Sequence, residues 1–178
     1  MKAAAHQLST QNEVRKIAGL RWVELRDQGP FNSSPKSKIS AVKRGLAYER
    51  VVGRTLKRLI TGGELLGELH LQQWILFADA GGVQWARPDA YIRLPSKSQF
   101  SSHRFDGILL IEVKLTQSDS ATHQLLGLYL PLLRRIYNVP ILCLQVCKNL
   151  RYVPSKLIER PAELIEHPGP GVFTWHLS

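Results

Sequence analysis

The chain has 178 residues, near the size of one average domain, and its hydrophobic share of 44% is enough for a core and argues against wholesale disorder. No apolar run approaches the length of a membrane span, and Met1 to Thr10 lacks the apolar centre of a signal peptide, so the expectation is a cytosolic, soluble protein without a membrane partner. The net charge of +10 is uneven: residues 1–60 hold 13 Lys and Arg against 4 Asp and Glu, while residues 61–178 are nearly balanced. A basic first third on a near-neutral body is the electrostatic footprint of a polyanion binder, most simply nucleic acid.

In chain order, Val14, Ile17, Leu20 and Val23 or Leu25 fall roughly at helical spacing, which predicts a short helix over Gln11–Asp27. "DQGPFNSSPKSK" then reads as a linker. Residues 1–38 are therefore expected to be a basic N-terminal helical arm, and residues 39–178 the main domain. A long helix follows from Ser40, stopped by Gly62 and Gly63. Its apolar stripe runs through Ile39, Val42, Leu46, Val52, Leu56, Leu59 and Ile60, and Glu49 falls on that stripe. Arg50, Arg54, Lys57 and Arg58 occupy its other faces.

Strands are predicted over Leu69–Phe77 and Val83–Leu94, turned at Asp79-Ala80-Gly81-Gly82. Pro88 marks an edge, start or bulge just before Asp89. A polar loop with His103 and Arg104 leads to "GILLIEVKLTQ", a buried strand carrying Glu112 and Lys114. A helix over residues 120–137, capped by Ser118 or Asp119, and a strand over 139–146 complete a parallel crossover. The tail holds a short helix around Arg160–Glu166 and a strand near Val172–Leu177. Cys143 and Cys147, about 13 Å apart on one face of a strand, are too distant for a disulfide and read as reduced, buried thiols. The fold class is α/β, a mixed central sheet flanked by helices.

An unpaired charge in a core strand is costly unless a partner or a metal compensates it. Residues two apart on a strand share a face, so Glu112 and Lys114 project together. If the neighbouring strands pair, Asp89 and Glu112 converge, and two such carboxylates suit a hard divalent cation. Glu49 can approach the same point, and the Val113 carbonyl is an additional candidate ligand. Magnesium held there would bind a phosphate oxygen and acidify a bound water, with Lys114 orienting that water or neutralising the phosphate.

"RPDAYI", then "LLIEVKL", resembles the signature of the PD-(D/E)XK nuclease superfamily. "GLAYER" around Glu49 resembles the helix-borne acid of many members, and "HQLLGLY" the downstream Gln and Tyr helix of the exonuclease and resolvase-like branches. The resemblance covers residues 39–147. It implies a restriction-endonuclease-like core, Asp89 and Glu112 as metal ligands, Glu49 as a further ligand, Lys114 as the catalytic lysine, and Gln124 close to the site. Tyr129 departs from the pattern, following Gln124 by five residues rather than one helical turn. The expected activity is a Mg2+-dependent endonuclease on DNA, with Mn2+ able to substitute and the basic first third gripping the backbone without regard to sequence. The alternative is a non-cleaving DNA-binding or assembly protein of a virion, packaging or transposition apparatus, in which case a homo-oligomer or larger nucleoprotein assembly and a virion location are open.

Overall fold

The computed structural model describes residues 17–30, 40–95, 107–152, 157–158 and 171–178. The strand opened by the apolar run at Ile108 is its axis. This strand, β6 (Ile108–Thr116), pairs antiparallel with β5 (Ala90–Arg93) and parallel with β7 (Ile141–Asn149). β2 (Glu68–Leu71), β8 (Leu157–Ile158) and β9 (Val172–His176) extend this into a six-stranded mixed sheet, ordered β2-β5-β6-β7-β9-β8. The expected α/β class and the parallel crossover both hold.

Both faces of β6 are covered, which is why its sequence is nearly continuous in apolar residues. On one face α1 (Ser40–Thr61) lays Tyr48, Val52 and Leu56 against Leu109, Ile111 and Val113. On the other, α2 (Asp119–Gln124), a π-helical turn (Leu125–Tyr129) and α3 (Leu130–Ile136) bring Leu125, Tyr129, Leu132 and Leu133 onto Ile108, Leu110 and Cys143. Ser118 caps α2, its hydroxyl accepting from the Ser120 N–H at 3.2 Å. α1 stops where expected: Gly62 N–H donates to the Arg58 carbonyl, and Gly63 takes the left-handed conformation at φ 74°. The expected stripe omitted Tyr48, which is buried and donates its hydroxyl to the Leu177 carbonyl at 2.7 Å. Ile39 lies outside the described residues.

Two expectations are corrected. The first is the pair of long strands: each is two strands in different sheets. β3 (Trp74–Asp79) and β4 (Gly82–Ala86) join β1 (Trp22–Arg26) in a three-stranded antiparallel sheet, while β2 and β5 belong to the larger one. The breaks lie side by side, at Gln72, whose φ is 50°, and at Arg87-Pro88-Asp89. The Gln72 N–H donates to the Asp89 carbonyl at 3.0 Å and ties them together. The hairpin thus turns a corner from one sheet to the other. The second correction is the helix over Gln11–Asp27: residues 22–26 are β1, an edge strand paired with β3. Val23 and Leu25, two apart, carry the strand period and pack with Ile17 and Leu20 against the second core. Residues 11–16 lie outside the described residues, as do His103, Arg104 and the expected helix around Arg160–Glu166. Cys143 and Cys147 are free and buried. No helix among the described residues is long and apolar enough to cross a membrane.

Candidate active site

The corner explains the placement of Asp89. Paired strand β5 begins at Ala90, opposite Ile111, so Asp89 lies one step beyond, facing Glu112. Pro88 precedes it and has no N–H to offer a ladder. The Asp89 carboxylate takes the place of a strand carbonyl, its Oδ2 accepting the Val113 N–H at 2.7 Å. Glu112 is only 3% exposed and continues the face of Ile108 and Leu110. Lys114 Nζ donates to Glu112 Oε1 at 2.7 Å, whereas Glu112 Oε2 is buried without a partner. Asp89 and Glu112 are close enough for each to shift the other's protonation.

Charge couples these groups to one another and to Glu49 on α1. Burial, then Asp89 and Glu49, push the Glu112 carboxyl up to about 8, against the lowering pull of Lys114. Burial and Asp89 raise Glu49 to about 7, with Lys114, Arg87 and Arg50 opposing. Burial raises Asp89 as well, despite the Val113 N–H and the charges of Lys114 and Arg87. Burial works against the Lys114 ammonium, but Glu112, Asp89 and Glu49 outweigh it and raise its pKa. Three mutually repelling carboxyls beside one ammonium leave excess negative potential when all are ionised. Near neutral pH the cluster therefore holds on to protons that a cation would displace.

The donor set suits a hard cation in chemistry: adjacent carboxyls, one with a buried orphan oxygen. The cage is incomplete, however. Among the described residues no group of three or more His, Cys, Asp or Glu side chains closes into a metal-holding arrangement, so Glu49 does not join Asp89 and Glu112 as a third ligand in this conformation. Val113 lines the adjoining cleft and already uses its N–H on Asp89.

Gln124 ends α2, with its Oε1 buried and without a partner. The five-residue spacing to Tyr129 has a structural reason. Five residues along an α-helix turn a side chain about 140° away from its starting face. Here the Leu130 N–H bonds the Leu125 carbonyl, and the wider π turn closes the difference. Tyr129 consequently feels the charges of Glu112 and Asp89, and its hydroxyl donates to the Arg87 carbonyl at 3.3 Å.

Arg87 itself was missed in the sequence, although it directly precedes Pro88-Asp89. Its guanidinium stacks 4.8 Å above the Trp74 ring, and its charge stabilises both Asp89 and Glu49 as anions. Gln72 was also missed, since a left-handed glutamine carries no sequence signature. His70 stacks on Tyr91 at 4.5 Å, a packing role.

Glu49, Asp89 and Val113 face a cleft of about 590 Å³ between α1 and the sheet corner, which Leu71 and Gln72 also line. Arg50, Arg54 and Lys57, all exposed on α1, line the same cleft. Acids at its base and a basic wall suit a ligand that is itself anionic and can share a cation with the acids. No family model matches the chain, and no curated protein or solved structure is significantly similar to it.

Proposed function

We propose that this protein is a divalent-metal-dependent nuclease that hydrolyses DNA phosphodiester bonds at the sheet corner, and that its larger sheet is a PD-(D/E)XK-type core. The observation that carries the reading is the coincidence of a buried carboxyl, a neighbouring half-buried one and a lysine, Glu112, Asp89 and Lys114, with a cleft walled by Arg50, Arg54 and Lys57. Asp89 and Glu112 would hold the cation, with Glu49 joining directly or through water. The cation would supply Lewis-acid activation of the phosphate and a more acidic water. Lys114 would keep an ammonium beside the reacting phosphate, and Gln124 would orient a ligand or touch the polymer. The basic wall holds the polymer backbone by charge, so the grip is independent of sequence and sensitive to salt.

A second reading is a non-cleaving nucleic-acid-binding or assembly protein. Two observations favour it: Lys114 is already paired with one oxygen of Glu112, and the described residues form no three-acid cage. Incubating the purified protein with supercoiled plasmid in Mg2+, in Mn2+ and in chelator separates the two. Metal-dependent relaxation or linearisation that is lost in Glu112→Gln supports the nuclease. Retention on the plasmid without any cut in either metal assigns the protein to the second reading.

A further inference from the structure

Among the described residues, every backbone position with positive φ is glycine except Gln72. Glycine takes this conformation freely, whereas a residue with a Cβ pays for it, so a non-glycine there invites a functional reason. The backbone requirement is plain. Gln72 turns the chain between β2 and β3 and sends its N–H to the Asp89 carbonyl at 3.0 Å. That bond needs only a peptide group, and glycine would supply it with less strain. The glutamine side chain is therefore unexplained by the corner. It is exposed, has no side-chain hydrogen-bond partner among the described residues, and lines the cleft from the β2 end, whereas Arg50, Arg54 and Lys57 line it from α1.

We propose that Gln72 is a substrate-contacting residue: its carboxamide hydrogen-bonds the polynucleotide lying in the cleft between α1 and the sheet corner, at its β2 end. This rests on the nucleic-acid reading of the cleft. A primary amide both donates and accepts, so it can meet a base edge or a sugar–phosphate oxygen without adding charge. The arginines and lysine hold the polymer through counterion release, and the amide fixes its position within the cleft. Leu71, beside Gln72 in sequence, packs its side chain 3.6 Å from the site of a Gly53 Cβ, which keeps the corner close to α1.

The test compares wild type, Gln72→Gly and Arg54→Gln, using a fluorescently labelled DNA oligonucleotide in chelator, so that binding is read without cleavage. Gln72→Gly should keep the wild-type thermal midpoint or raise it, because the left-handed strain is relieved. It should bind roughly three- to tenfold more weakly, the effect of one lost hydrogen bond. Its plot of log affinity against log salt should keep the wild-type slope, since no charge is lost. Arg54→Gln should instead reduce that slope by somewhat under one unit. Wild-type affinity in a stably folded Gln72→Gly overturns the proposal and leaves Gln72 as a corner residue. A changed salt slope in that variant also overturns it, because the effect would then run through the basic wall. Wild-type protein that binds neither the DNA nor an RNA of the same sequence overturns the nucleic-acid reading and this proposal with it, which distinguishes the two failures.

Discussion

The Asp89 carboxylate stands where a strand residue would otherwise bond β6, its Oδ2 accepting the Val113 N–H at 2.7 Å. One side chain thereby performs two tasks: it completes the sheet hydrogen bonding at the corner and places an acid against Glu112. The two tasks respond differently to substitution. Asp89→Asn keeps a carbonyl oxygen for Val113 and removes one of the repelling charges. It should fold with an unchanged or higher thermal midpoint and, on the nuclease reading, lose plasmid cleavage by at least about a hundredfold. Asp89→Ala leaves the buried N–H unsatisfied at a cost of about 1–3 kcal/mol, partly offset by the relieved repulsion. A thermal melt and a cleavage time course for each variant check this. Cleavage by Asp89→Asn at the wild-type rate would remove Asp89 from the chemistry.

Much of this corner was legible in the sequence, for stated physical reasons. Glu112 and Lys114 announced themselves as charges in an otherwise apolar strand, and Pro88 marked the break that frees Asp89 from the ladder. The corner's other half was not legible. Leu69 to Phe77 reads as one apolar strand, because alternation cannot reveal that Gln72 sends the chain into a second sheet. The π turn was hidden for a similar reason: insertion of one residue in a helical turn changes which faces align without changing composition. Trp22–Arg26 was misread because five residues sample too few periods to separate spacings of two and of three or four.

The raised carboxyls make stability, and on the nuclease reading metal affinity, depend on pH in opposite directions. Glu49 and Glu112 titrate at about 7 and about 8 in the fold, above the ordinary 4.5. Groups raised in the native state contribute stability that is full below their unfolded pKa and is lost as pH rises through the folded one. Without divalent ions, the thermal midpoint should therefore fall between about pH 5 and pH 9. A divalent cation held there, as proposed, would replace the protons, so its stabilising effect should be small at pH 5.5 and grow through pH 7 to 8. Lys114→Ala removes a charge that lowers Glu112 and should make the fall with pH steeper. Thermal melts in Mg2+ and in chelator across this range test the point. An equal Mg2+ shift at pH 5.5 and pH 8.5, or the same shift in Glu112→Gln, would place magnesium elsewhere.

Where the chain can be shortened follows from β1. Trp22–Arg26 pairs along its whole length with β3, and Val23 and Leu25 pack against the core that contains Ile75 and Phe77. Removing residues 1–16 spares all of these contacts and should leave the thermal midpoint within a few degrees of wild type. Removing residues 1–30 strips the edge strand, costs about 3 kcal/mol or more in lost apolar burial, and bares the β3 edge to aggregation. The shorter truncation also tests where the proposed grip on DNA lies. Residues 1–16 carry Lys2, Arg15 and Lys16, whereas Arg50, Arg54 and Lys57 line the cleft itself. If the cleft wall dominates, replacing those three by glutamine should flatten the salt dependence of DNA binding more than deleting residues 1–16 does. The reverse ranking, in proteins with matched thermal midpoints, would move the grip to the N-terminal segment and leave the wall of α1 without a role in holding DNA.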